Sequence, residues 1–208
     1  MDSSITRGLY RDITELAESS PSWVQHLAGV WTEAGLLVFG ALFLTVWWRA
    51  RAQSASAIAV AVLAPLATAA GYVISESLKT VFDEERPCRT VTDAAASLVA
   101  CPPTGDWSFP SNHASIAGAA AVALALARPV LVWAAVPMAL LMAFSRVFVG
   151  VHYPHDVIVG MVLGAVVAAV LMVLLARPAS SLLAAVRTSR YAPVVWFAGP
   201  GPGASGRG

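Results

Sequence analysis

Residues 157–176 read VIVGMVLGAVVAAVLMVLLA, twenty positions from Val157 to Ala176 with no polar side chain, bounded by Asp156 and Arg177. At the rise of an α-helix, twenty residues span about 30 Å, the thickness of the bilayer hydrocarbon. Backbone N–H and C=O groups find no water there, so such a run has to be helical. Four more charge-poor stretches occur upstream, at 27–48 (with Glu33 near its start), 52–75, 113–128 and 129–145. The sequence therefore predicts five transmembrane helices in an all-α integral membrane helical bundle, one domain covering 23–178.

Composition agrees. Of the 208 residues, 58% are hydrophobic and 12% are charged, about half the charge that a soluble domain carries. This excludes a water-soluble globule, and the high hydrophobicity excludes a disordered chain. A net charge of +1 argues against a nucleic-acid partner. Lys79 is the only lysine among the 13 basic residues.

The segment 1–22 reads as an interfacial helix with Leu9, Ile13 and Leu16 on one face and Arg11, Asp12 and Glu15 elsewhere. Ser20 and Pro21 suit the cap and first position of the next helix. The first apolar stretch is too long, and too far from the N-terminus, for a cleaved signal peptide. The segment 179–208 is expected to be a cytoplasmic, partly disordered tail, flexible after Trp196 where it reads Gly-Pro-Gly-Pro-Gly. Five spans place the termini on opposite sides. Arg49, Arg51, Arg128, Arg177, Arg187 and Arg190 fall on one side without an acidic neighbour, so the positive-inside rule puts the N-terminus out and the C-terminus in the cytoplasm of a multi-pass plasma-membrane protein. Trp47, Trp48 and Trp107 suit membrane interfaces, and Gly160 with Gly164 suits close helix packing. Cys88 and Cys101 lie in an outer loop, where a disulfide is permitted; two unpaired thiols are the alternative, and no matching ligand pair supports zinc.

Three outer turns gather polar groups that are costly near hydrocarbon. In the first, Lys79 and Arg86 stand seven residues apart, close to two helical turns, so a helix continuing to Pro87 would place both cations on one face. They form either an anion clamp or a rim paired with Glu76, Asp83, Glu84 and Glu85. In the second, Pro110-Ser111-Asn112-His113 precedes a span, and the free N–H groups of a helix start attract anions; a plain capped helix start fits equally. In the third, Arg146 is followed by His152 and, four residues later, by Asp156. A carboxylate at that distance can accept the Nδ1 proton of His152 and leave Nε2 with a free lone pair, as a nucleophile needs. His155 is expected at the rim, facing away from His152, and His26 is an interfacial side chain without a partner.

Together these turns resemble the three signature motifs of the type 2 phosphatidic acid phosphatase (PAP2) family, in order and spacing, over roughly residues 30–178. The resemblance implies a lipid phosphatase in which His152 attacks phosphorus to form a phosphohistidine, Asp156 orients His152, and His113 protonates the leaving oxygen and then activates water. Lys79, Arg86, Arg146, Ser111 and the N–H of Asn112 are implied to hold the phosphoryl oxygens. No metal or other cofactor is implied. Asn112 departs from the family's glycine; asparagine best tolerates a left-handed backbone after glycine, so a tight phosphate-cradling turn stays feasible, and the departure bears on the detailed fit or substrate preference more than on the chemistry.

The implied partner is a phosphorylated membrane lipid, with Phe82, Trp107, Phe109, Phe144 and Phe148 placed to guide its chains. The Ala, Val and Arg bias hints at a bacterial source, and the outward site suits an undecaprenyl-diphosphatase of cell-wall synthesis. A phosphatidic acid or phosphatidylglycerophosphate phosphatase is the alternative. A non-catalytic lipid-phosphate transporter would not need His152, Asp156 or His113, and a vanadate haloperoxidase would be expected to be soluble.

Overall fold

The computed structural model describes residues 5–189 and 191–202. The elements are α1 (Arg7–Ser19), α2 (Ser22–Ala50), α3 (Ala55–Phe82), α4 (Pro87–Thr90), α5 (Asn112–Ala127), a 3₁₀ turn (Pro129–Leu131), α6 (Val132–Phe148), α7 (Pro154–Arg187) and α8 (Ala192–Ala198). Among the described residues there is no strand. Four of the segments are long and apolar enough to cross a bilayer, and α5 is a shorter apolar helix beside them.

Small side chains put α5 at the centre. Ala114, Ala117, Ala119, Ala120 and Ala123 are fully buried, and α3, α6 and α7 pack around them. The contact with α7 is backbone on backbone: a Cβ added at Gly118 would meet the Met161 carbonyl oxygen at 2.2 Å, and one at Gly164 would meet that of Ser115 at 2.0 Å. At the end of this seam a Cβ on Gly160 would come within 2.5 Å of the Ser111 carbonyl oxygen. Gly160 thus fixes the start of α5 against α7. Gly160→Val is expected to cost about 1–3 kcal/mol of overpacking and to lower the thermal midpoint in detergent by several degrees. Gly40→Val, where a Cβ meets nothing within 4 Å, should leave it unchanged.

Several helix bounds differ from the sequence expectation. Charges at Glu76 and Lys79 suggested an end near Ser75, but α3 continues to Phe82, with Lys79 buried and paired. The helix then stops at Asp83, which adopts a left-handed conformation, so Arg86 lies beyond the helix in extended backbone ahead of Pro87. Lys79 and Arg86 therefore do not share a helix face. In α7 the helix runs on past Ala176 through Arg177 and Pro178 to Arg187. Pro21 is the cap of α2 instead of its first residue, and the Ser20 hydroxyl donates back to the Leu16 carbonyl.

In α1 the face turned to the protein is Tyr10, Thr14 and Ala17, whereas Leu9 and Leu16 are exposed. The Tyr10 hydroxyl donates to the Gly150 carbonyl at 2.9 Å, which straps α1 across the turn between α6 and α7. At the other end of the bundle, the chain beyond Trp196 packs on the bundle as far as residue 201. Trp196 and Phe197 of α8 pack on Trp47, Arg51 lies over the Trp47, Trp48 and Trp196 rings, and Arg187 donates to the carbonyls of Arg51, Gln53 and Ala198. Gly201 N–H also donates to the Arg51 carbonyl. Arg190 and residues 203–208 lie outside the described residues.

Candidate active site

The site is recessed. Asn112, the first residue of α5, accepts a hydrogen bond from Ser75 at 2.8 Å, and α3 continues seven residues beyond Ser75, about 10 Å of helix. The N-terminus of α5 thus opens below the ends of its neighbours. Ser111 caps it without using its hydroxyl, and its N–H donates to the Asp156 carbonyl at 3.1 Å. Ser111 Oγ is buried and has no hydrogen-bond partner among the described residues. With the free N–H groups of the first helical turn it forms a set of donors suited to an anion.

Asn112 does not use the left-handed backbone that asparagine tolerates. It is helical, and Asp83 is the one non-glycine residue with positive φ among the described residues. Its side chain bridges to α3 instead, accepting from Ser75 and donating to Glu76. The side chain that a glycine would lack fills the seam between α3 and α5.

His152 is 2% exposed and sits between two kinds of partner. Its Nδ1 is 3.2 Å from Asp156 Oδ2 and its Nε2 is 3.0 Å from Arg86 Nη1. A guanidinium can only donate, so Nε2 must accept and the ring proton must reside on Nδ1, facing Asp156. Arg86 and Asp156 thereby select the same tautomer. Burial and then the positive charges of Arg86, Arg146 and Lys79 hold the His152 imidazole well below its ordinary value of 6.5, so it is neutral at physiological pH. Asp156 Oδ2 also accepts the Tyr153 N–H at 2.8 Å and the Ser108 hydroxyl. Ser108 was not anticipated from sequence; nothing in its spacing announces that the loop folds it under His152.

The cations converge, each on a carboxylate. Asp106 Oδ1 lies 2.7 Å from Lys79 Nζ and 2.9 Å from Arg86 Nη2, and Arg86 Nε donates to the Asp106 carbonyl at 2.8 Å. Burial pushes the Asp106 carboxyl up, but the hydrogen bond from Lys79 and the charge of Arg86 outweigh it and hold the group below its ordinary value. Arg146 Nη1 donates to Thr32 at 2.8 Å and to Glu33 at 3.2 Å, and the other Glu33 oxygen stands 3.7 Å from His113 Nε2. Arg146 Nε is buried without a partner among the described residues. Glu33 and Asp106 are themselves substantially exposed. Glu33 was visible in the sequence as the one charge inside the first span; Asp106 carried no such mark.

Cys88 and Cys101 are bonded, with Cα atoms 6.1 Å apart. The link ties α4, directly after Arg86, to the loop that supplies Asp106 and Ser108. The expectation for His155 is corrected: it is 8% exposed, its ring stacks on Tyr153 at 5.3 Å, and its Nε2 lies 3.1 Å from Glu84 Oε1 and 3.2 Å from Asp156 Oδ1. Glu84, His155 and Asp156 are also the group of donor atoms that could converge on a metal ion among the described residues, although one imidazolium proton satisfies the same contacts. Phe109 is buried, with Phe82 edge-on to it at 5.1 Å, so it cannot line a chain path. Phe144 and Phe148 do line an apolar groove of about 320 Å³ between α2 and α6, together with Leu27, Trp31 and Ser145.

These positions can be compared with known proteins. The chain is 32% identical over 136 residues to the undecaprenyl-diphosphatase BcrC of Bacillus subtilis, covering 65% of this chain and 67% of that protein. It is 42% identical over 93 residues to an undecaprenyl-diphosphatase of Sulfolobus acidocaldarius, covering 44% of each. A decaprenylphosphoryl-5-phosphoribose phosphatase of Mycobacterium tuberculosis is 39% identical over 48% of this chain and 52% of its own. The chain thus spans about two thirds of the first of these relatives and about half of the others. Among solved structures, the fold matches Aquifex aeolicus LpxE with a TM-score of 0.65 at 23% identity, covering 82% of this chain and 96% of that one. It also matches a transmembrane PAP2-type phosphatidylglycerolphosphate phosphatase of Bacillus subtilis with a TM-score of 0.62 at 20% identity, covering 83% and 87%. The fold is accordingly that of a multi-pass membrane protein. The family model of the PAP2 superfamily matches residues 60–179, more than half of the chain and the whole stretch from Lys79 to Asp156, and the chain belongs to that superfamily.

Proposed function

We propose that the protein hydrolyses undecaprenyl or a similar polyprenyl diphosphate to the monophosphate and inorganic phosphate, through a phosphohistidine. The observation that carries this reading is the double restraint on His152: Arg86 on Nε2 and Asp156 on Nδ1 leave a neutral ring whose lone pair points into a cluster of cations. The terminal phosphoryl group displaces the Asp106 and Glu33 carboxylates and takes their donors on Lys79, Arg86 and Arg146. Ser111 and the Asn112 N–H supply the rest. Arg86 Nη1 turns its N–H from His152 Nε2 to a phosphoryl oxygen, the freed Nε2 lone pair attacks phosphorus in line, and the bond to the bridging oxygen breaks. The electron pair leaves on that oxygen, which takes a proton from His113. His113 then removes a proton from water, the hydroxide attacks phosphorus, and the N–P bond returns its electrons to His152. Electrostatic stabilisation of the equatorial oxygens accounts for the number of cations.

The lipid class is supported by the apolar groove between α2 and α6 and by two relatives named undecaprenyl-diphosphatases. Orientation follows the arginines. Arg49 and Arg128 line one groove, and Arg51 and Arg187 meet at the same end of the bundle, opposite the site. By the positive-inside rule that end is cytoplasmic and the site faces out, where a disulfide is also stable. The test is phosphate release by purified protein in detergent containing EDTA, with undecaprenyl diphosphate, phosphatidic acid and phosphatidylglycerophosphate compared at equal concentration. Release persisting in EDTA and at least about tenfold higher kcat/KM for the polyprenyl substrate, a difference of about 1.4 kcal/mol, is the expected result. A preference for either glycerolipid would overturn the substrate, and strict Mg²⁺ dependence would overturn the metal-free scheme.

A further inference from the structure

Behind His152 lies a buried ionic cluster of which the reaction scheme uses only Asp156. Glu84, His155 and Asp156 form it, with side-chain exposures of 3%, 10% and 0%. His155 Nε2 is 3.1 Å from Glu84 Oε1 and 3.2 Å from Asp156 Oδ1, and His155 Nδ1 is 2.7 Å from Thr6 Oγ1 of the N-terminal segment. Two carboxylates that approach one ring nitrogen out of water repel each other unless a cation stands between them, and an uncompensated buried charge is strongly destabilising. Lys79 and the guanidinium of Arg86 are already engaged with Asp106, and among the described residues no other salt bridge reaches Glu84.

We infer that His155 is a positioning residue: as an imidazolium between Glu84 and Asp156, it keeps Asp156 ionised so that Asp156 can hold the Nδ1 proton of His152. This rests on the proposed role of His152. Without the His155 cation, Glu84 and Asp156 would face each other across the space of one ring, and a shared proton would relieve the repulsion. A protonated Asp156 no longer accepts from Nδ1, and the nucleophile loses its tautomer. Glu84 is the partner that makes His155 necessary and at the same time limits how strongly His155 binds Asp156.

Among the described residues the cluster has these other neighbours. Asp156 Oδ2 is engaged by Ser108, Tyr153 N–H and His152, and Arg86 reaches the cluster only through His152 Nε2. The Tyr153 ring stacks on His155, Tyr10 packs on Tyr153, and Phe109 lies 6.0 Å from His155. None of these supplies a charge to replace that of the imidazolium. Thr6 holds the outer nitrogen of His155, so the segment leading into α1 also closes the cluster.

Charge balance gives the test. In His155→Gln, kcat for phosphate release should fall at least about tenfold with KM within about twofold, and the acid limb of the pH profile should move upward, because Asp156 now takes its proton more readily. Adding Glu84→Gln to that variant removes the opposing carboxylate and should restore kcat to within about threefold of the parent and return the acid limb. Glu84→Gln alone leaves His155 to Asp156 and should move the acid limb downward. It serves as the measurement if His155→Gln does not fold. Unchanged pH profiles, or a double variant as slow as the product of the two single effects, would overturn the inference. Parent activity and its loss in His152→Ala are measured in the same series. Their failure would overturn the proposed function, whereas active parent protein without rescue in the double variant overturns only the role of His155.

Discussion

His152→Ala is expected to lower kcat by about four orders of magnitude or more, the scale on which removing a catalytic nucleophile acts, with little change in protein yield or thermal midpoint. The side chain is buried and its loss leaves Arg86 Nη1 and Asp156 Oδ2 without one partner each, but Arg86 keeps the Val151 carbonyl and Asp156 keeps Ser108 and Tyr153 N–H. The fold therefore has other anchors at this point, and the loss falls on chemistry. Rapid acid-free quenching of the parent with ³²P-labelled substrate should give an alkali-stable, acid-labile phosphoprotein that is absent from His152→Ala. A variant retaining more than about a hundredth of parental kcat would exclude a covalent step at this residue. The pH profile adds an independent check. Burial and the surrounding cations hold His152 neutral well below the ordinary value of 6.5. Its protonation, which removes the attacking lone pair, should therefore depress kcat/KM only at pH values below that of a free histidine.

The residues proposed for chemistry could be picked out in the sequence because their spacing within each turn is local. His152 and Asp156 are four apart on the chain, and Ser111 to His113 open a helix whose apolar pattern is plain. The five apolar runs were legible for the same reason, since hydropathy reports burial in lipid along a single helix. Span ends were less so. Hydropathy reads Lys79 and Arg177 as stops, yet Lys79 is neutralised by Asp106 from a loop 27 residues away, and Arg177 is a position from which a long side chain can reach water. The supporting contacts were not legible at all: Glu84 meets His155 across 71 residues, Ser108 meets Asp156 across 48, and Arg146 meets Thr32 across 114. These depend on how helices and loops come together across the chain, which the seam of Gly118, Gly160 and Gly164 sets only between α5 and α7. The His155 expectation failed on that same ground: it was read from neighbours along the chain, and the side chain is held by contacts across it.

Arg86→Lys is expected to reduce kcat/KM by about two to three orders of magnitude, although net charge is kept. Four N–H bonds leave the guanidinium in one plane: Nη1 to His152 Nε2 at 3.0 Å and to the Val151 carbonyl at 3.1 Å, Nη2 to Asp106 Oδ1 at 2.9 Å, and Nε to the Asp106 carbonyl at 2.8 Å. An ammonium carries three N–H bonds on a single atom and cannot span these acceptors. Lysine at this position therefore keeps a charge near the phosphoryl oxygens but gives up either the ring nitrogen or the Asp106 loop. The first loss frees the His152 ring to place its proton on Nε2, which is the wrong tautomer for attack. The second loosens the segment that carries Ser108 to Asp156. Both act on the reacting atoms, so kcat should fall more than KM rises. A thousandfold loss corresponds to about 4 kcal/mol of transition-state stabilisation, more than one exposed ion pair supplies and in the range expected when a charge-assisted donor and a tautomer are lost together. Arg86→Met should fall further still, and added guanidine should recover part of the activity of Arg86→Ala, since the freed space admits a planar donor. An Arg86→Lys enzyme within about tenfold of the parent would show that charge alone was required and that Asp156 suffices to set the tautomer.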